Sequence, residues 1–190
     1  WIAFRYFDFP MIFILIAFVQ FQFIYSQIIV SNYPLSKIIE ETSGLEIIGD
    51  YLITHNDSGG YPILYYLSKD GKIIKERKVE SAVNKDWEDI TKDDKYIYIS
   101  DTGNNYSNRK DLKIYKIPIN EYSAEKTQII SFDYPEQDSF KKNTNTIFDA
   151  EGLVSIDDKL LIFTKNRADK ITEIYSVPKI QGDYRAKKIK

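Results

Sequence analysis

The sequence predicts an all-β protein assembled from a repeated strand-and-turn unit. Three observations predict it. Tyr (15 residues) and Phe (11) are frequent and Ile is abundant; aromatic and β-branched side chains suit a pleated, half-buried surface. After residue 30, no window sustains the helical period of about 3.6 residues. Finally, three short runs align in register: Glu41-Thr-Ser-Gly-Leu45, Asp86-Trp-Glu-Asp-Ile90 and Asp149-Ala-Glu-Gly-Leu153.

The first element precedes the repeats. Met11 opens an uncharged apolar run that ends near Tyr25-Ser26. It is shorter than the roughly 20 apolar residues of a membrane span and contains Gln20 and Gln22. Its length suits the apolar segment of a secretory signal peptide, with small Ser26 before a cleavage point. Residues 1–26 are therefore read as a signal peptide or N-terminal anchor, and residues 27–190 as the folded domain.

In each repeat, an apolar strand core begins seven residues after the last aliphatic of the aligned run: Leu52-Ile-Thr54, Ile97-Tyr-Ile99 and Leu160-Leu-Ile162. A polar turn follows: His55-Asn-Asp-Ser-Gly-Gly60, Ser100-Asp-Thr-Gly-Asn-Asn105 and Thr164-Lys-Asn-Arg-Ala-Asp169. A third strand then carries a Tyr, in Ile63–Leu67, Lys113–Ile117 and Glu173–Val177. The first unit goes on through Lys69-Asp-Gly71 into a fourth strand from Lys72. Leu45 to Ile90 is 45 residues and Ile90 to Leu153 is 63. The longer spacing is assigned to a polar insertion at about residues 118–146. Spacings near 45 with about four strands per unit are those of β-propeller blades. About three blades are present, fewer than the roughly four to eight that close a ring. The reading therefore expects further blades, from continuation of the chain past the basic run at Lys187-Lys188 or from a partner chain.

Composition narrows the chemistry. The chain has no Cys and one His. That excludes disulfides, Cys-ligated zinc, iron–sulfur clusters, a Cys nucleophile and multi-His metal sites. A net charge of -2 gives no basic footprint for nucleic acid, and the pattern predicts no polytopic membrane domain.

Within Asp86-Trp-Glu88 and Asp149-Ala-Glu151 the acids stand at i and i+2, which share one face of a strand. Glu41 and Ser43 hold the same columns. On innermost strands these carboxylates would converge on a central channel and repel unless a cation sits among them. Hard oxygen donors suit Ca2+ or Mg2+, with calcium the expected ion. Glu41, Asp86, Glu88, Asp101, Asp149 and Glu151 are the candidate metal ligands. His55, Asn56, Asp57, Asn104 and Asn105 in the turns, with Arg109 and Lys165 after them, are the candidate ligand-binding groups. Arg109 and Lys165 suit an anion such as phosphate. The competing reading is that Asp, Asn, Ser and Gly in these turns bond only their own backbone, and that the two cations are solvated. His55 is the lone candidate base, with Ser43 or Ser58 as nucleophile, but Ser43 lacks a G-x-S-x-G elbow. Trp87, facing away from its acidic neighbours, is assigned to packing between blades.

The ordered set Thr54-His-Asn-Asp-Ser-Gly59, Asp86-Trp-Glu-Asp-Ile90, Tyr98-Ile-Ser-Asp-Thr-Gly-Asn-Asn105 with Arg109, Tyr134-Pro135, Asp149-Ala-Glu-Gly-Leu153 and Phe163-Thr-Lys165 resembles a family of secreted bacterial β-propellers, related in pattern to the phytase-like and SdiA-regulated propellers. The match covers about residues 38–178. It implies a six-bladed-type ring in a secreted, periplasmic or cell-surface protein. It does not carry phytase activity over, because the calcium ligands of phytases do not map onto this chain residue by residue. Gly103-Asn-Asn105 also departs from the Gly-Asp-Asn common in the family and has one charge fewer.

Two functions follow as expectations. One is a binding or scaffold module, with calcium, that holds a small ligand or a protein at the channel mouth. The other is a metal-dependent phosphoester or lactone/ester hydrolase, in which Glu88, Asp101 and Glu151 hold the metal and Arg109 or Lys165 steadies an anionic group.

Overall fold

The computed structural model describes residues 31–189, so the expected signal peptide lies outside the described residues. The described part is all-β apart from one short 3-10 turn, Lys37–Ile39, capped by the Ser36 hydroxyl. Thirteen strands follow. The first sheet is a meander of β1 (Thr42–Ile48), β2 (Tyr51–Asn56), β3 (Ile63–Leu67) and β4 (Ile73–Lys78). The second is β5 (Trp87–Lys92), β6 (Tyr96–Asp101), β7 (Lys113–Pro118) and β8 (Gln128–Asp133). The third contains β9 (Ala150–Ile156), β10 (Lys159–Thr164), β11 (Ile174–Pro178) and the two-residue β13 (Lys187–Lys188). Between β11 and β13 the chain leaves its own sheet. There β12 (Gly182–Arg185) pairs with β8, the only parallel pairing among the described strands.

The stretch assigned to an insertion at 118–146 contains β8, so the second unit has four strands like the first. The surplus is the loop after β8, and it is not a polar appendage. Its Tyr134 is fully buried, stacks on Phe148 with ring centres 5.2 Å apart, and meets Tyr175 edge-on at 4.7 Å.

β5 lies between β1 and β9. The Ser43 hydroxyl donates to the Glu88 carbonyl (2.6 Å), and the Leu153 N–H donates to Asp89 Oδ2 (2.7 Å). Each of these strands has one extra residue near its start. The register slips between Ser43 and Glu46, at Glu88 between Trp87 and Asp89, and at Glu151 between Ala150 and Gly152. Such bulges re-aim side chains, and here the bulged residues of β5 and β9 are both glutamates.

The strand alternation serves two faces. One apolar cluster joins Ile53, Leu64 and Tyr66 of the first sheet to Trp87, Ile90, Ile97, Ile99 and Tyr115 of the second. Another joins Tyr98, Ile114 and Ile130 of the second to Leu153, Leu160, Ile162 and Tyr175 of the third. Trp87 packs between sheets, as the sequence predicts, with no exposed surface.

Candidate metal centre

The site forms where the first strands begin. Trp87 is drawn into the inter-sheet core, so Asp86 and Glu88 turn the other way, with the bulge at Glu88 setting its direction. Asp57 arrives from the end of β2, its N–H held by the Glu41 carbonyl (3.0 Å). Asp57, Asp86 and Glu88 bring one carboxylate oxygen each to within 4.8 Å of one another, and Glu88, Asp149 and Glu151 do the same. Glu88 belongs to both groups.

Gly103 closes one side. Its N–H donates to the Asp86 carbonyl (3.2 Å). A Cβ at this position would lie 2.2 Å from both Asp86 Oδ2 and Glu88 Oε1, so the two carboxylates press directly on the backbone.

The two halves differ in charge balance. Asp149, fully buried, accepts from Asn104 N–H (2.8 Å) on Oδ1 and from Arg167 Nε (2.9 Å) and Nη2 (2.7 Å) on Oδ2. Glu151 pairs with Lys165 Nζ (2.8 Å) and more loosely with Arg167 (3.5 Å). Among the described residues, no basic side chain lies within ion-pair distance of Asp57, Asp86 or Glu88. Glu88 is 9% exposed, and its carboxylate makes no hydrogen bond there. Asp57 Oδ1 is buried without a partner, as is the neighbouring Asn56 Oδ1.

The protonation equilibria follow. Burial, then the negative charge of Glu151, Asp86 and Asp57, pushes the Glu88 carboxyl up to about 8. Burial and Asp57 push Asp86 up to about 6, against the pull of Arg109. Asp57 is raised by burial and by Glu41 and Glu151. An ionised carboxylate has no donor to offer its neighbours, so this set of oxygens repels itself when no cation is bound.

The other candidates have structural partners. Asp101, almost fully buried, pairs with Arg109 (2.9 Å) and accepts the Asp86 N–H (3.1 Å). Arg109 is itself buried, donating to the carbonyls of Gly103 (2.9 Å) and Asp101 (3.2 Å); it braces the turn and is not a free cation on the rim. Asn104 Oδ1 accepts the Arg109 N–H (3.0 Å), and Asn105 Oδ1 accepts from Arg167 (2.6 Å). Glu41 is exposed, and its carboxylate belongs to neither triad. Asn56 Nδ2 donates to the Ile38 carbonyl (2.7 Å). His55 is buried with its ring edge-on to Trp87 (5.5 Å), and its Nδ1 lies 3.0 Å from the Asn56 carbonyl. Desolvation pushes its pKa down to about 4. Ser43, its cross-strand neighbour, donates to the Glu88 carbonyl, and among the described residues neither Ser43 nor Ser58 hydrogen-bonds the imidazole.

Sequence reasoning missed Arg167 and Gly103. Arg167 stands two residues after the candidate Lys165 in the same turn, a signal visible in the sequence. No protein-family model matches this chain, and no curated protein matches it in sequence.

Proposed function

We propose that the chain forms an arc of a β-propeller whose inner strands hold a divalent cation, calcium by ligand type, and that it acts outside the cytoplasm as a module binding a small ligand or a protein at the channel mouth. The observation that carries the cation reading is Glu88: a side chain nine-tenths buried whose carboxylate has no hydrogen bond to the described residues and stands between four other carboxylates. A bound cation relieves the repulsion and supplies the partner that Asp57 Oδ1 lacks.

The arc reading is supported by equivalent positions in the repeats. Ile90 and Leu153, each 3% exposed, pack against the preceding sheet, whereas Leu45 in the same column is 61% exposed. Leu45 has the chemistry of an inter-blade contact and a face ready for another blade. The location rests on the apolar run at Met11–Ser26; N-terminal sequencing of the exported protein tests it, with Gln27 expected as the first residue.

A binding role is favoured over hydrolysis of phosphoesters because the cations near the site are already paired. Arg109 is buried, and Arg167 and Lys165 lie on carboxylates. Calorimetric titration of the full chain with calcium at pH 8 tests the function. Saturable binding that Glu88→Gln weakens at least tenfold is the expected result. Heat of dilution alone, from a chain shown to be folded by circular dichroism, sinks the cation reading.

A further inference from the structure

We propose that the centre takes one divalent cation and not two, because Lys165 and Arg167 serve as resident counter-cations for its second half. The inference rests on the cation reading above. The shared Glu88 gives the cluster the layout of a two-cation site, with Asp57 and Asp86 on one side and Asp149 and Glu151 on the other. The two halves are not in the same state. On the first side, three carboxylates have no basic partner within ion-pair distance among the described residues, Glu88 is nine-tenths buried without a hydrogen bond, and Asp57 Oδ1 is orphaned. On the second side no buried atom is orphaned. Two carboxylates face two cations, and both oxygens of Asp149 are filled.

A cation entering the second half would have to displace Arg167. Its guanidinium makes two contacts to the fully buried Asp149 and a third to Asn105 at 2.6 Å. Planar, charge-assisted contacts of this kind are the strong ones. Lys165–Glu151 is half exposed and weaker. Arg167 is therefore the lock and Lys165 its adjunct. The first half needs no displacement, since it offers unpaired oxygens of the type that calcium takes.

Equilibrium dialysis of the full chain against calcium up to ~1 mM, the range of extracellular calcium modules, at pH 8 counts bound ions. The expected values are one for wild type and two for Lys165→Gln/Arg167→Gln. Two ions on the wild type overturn the inference and leave the cation reading standing. One ion on both proteins does the same. No ion on the folded wild type removes the cation reading itself. Should the double variant fail to fold, the wild type alone decides, by nuclear magnetic resonance of the arginine Nε–H groups. Saturation with calcium leaves the Arg167 signal in place if Arg167 stays on Asp149; displacement of that signal refutes the proposal.

Discussion

At Gly103 a hydrogen is the only substituent that fits, because two carboxylate oxygens occupy the space a methyl group would take. Gly103→Ala is expected to push Asp86 and Glu88 apart. It should weaken calcium binding by at least tenfold and destabilise the fold by about 1–3 kcal/mol, the usual cost of overpacking; calorimetry and thermal melting measure the two effects. Arg109 is a different case. It lies beside the site, yet its partners are Asp101 and the backbone of the turn. Arg109→Met leaves Asp101 charged and buried, which costs about 3–5 kcal/mol, read as a lowered denaturation midpoint. From sequence, Arg109 looks like a rim cation, because residue type and turn position carry no information on burial. Asp101 misleads for the same reason. Glu88 and Glu151 were legible as converging acids, although the i, i+2 argument assumed a regular strand and the structure reaches the result through a bulge.

The strands test the repeat register directly. Leu45, Ile90 and Leu153 share one column, but only the last two are buried between sheets. Leu153→Ala should cost about 2–5 kcal/mol, whereas Leu45→Ala should stay within about 0.5 kcal/mol in the chain alone; chemical denaturation of both variants distinguishes a buried column from an exposed one. The first three strands of each unit were legible because an aliphatic core recurs seven residues after each aligned run and a Tyr-bearing strand follows each polar turn. The fourth strands were less so. The apolar alternation of β8, Gln128-Ile-Ile-Ser-Phe-Asp133, lies inside a polar stretch and outside the expected spacing. β12 and β13 are four and two residues long, too short for a period to show. Their placement depends on tertiary pairing with β8 and β11.

Across the whole molecule, the buried acids set how stability depends on pH. Glu88 binds its proton more tightly in the fold, with a pKa of about 8 against an ordinary 4.5. Its contribution is complete below about 4.5 and is lost as pH rises through 8. Asp86, at about 6, acts the same way over a lower range. His55, held neutral down to about 4 against 6.5, works in the opposite sense, costing stability as pH falls from 6.5 towards 4. Between pH 6.5 and 8, Glu88 therefore decides the slope: in chelator the melting temperature should fall as pH rises. Calcium should cancel that fall by stabilising the ionised acids, and Glu88→Gln should flatten it without calcium. Differential scanning calorimetry at the two pH values measures each case. The parallel strand β12 has a consequence of another kind, for solubility. An open sheet edge is a template on which other chains can add. β4 guards its edge with the charges of Lys75, Glu76, Arg77 and Lys78, but β8 offers Ile129, Ile130 and Phe132 and has no such guard. The strap from Gly182 to Arg185, extended by the Ala186 N–H on the Asp133 carbonyl (2.9 Å), takes up that row of amides. Removing residues 182–190 should increase light scattering on standing relative to the full chain, because the uncovered β8 becomes an adhesive border between molecules.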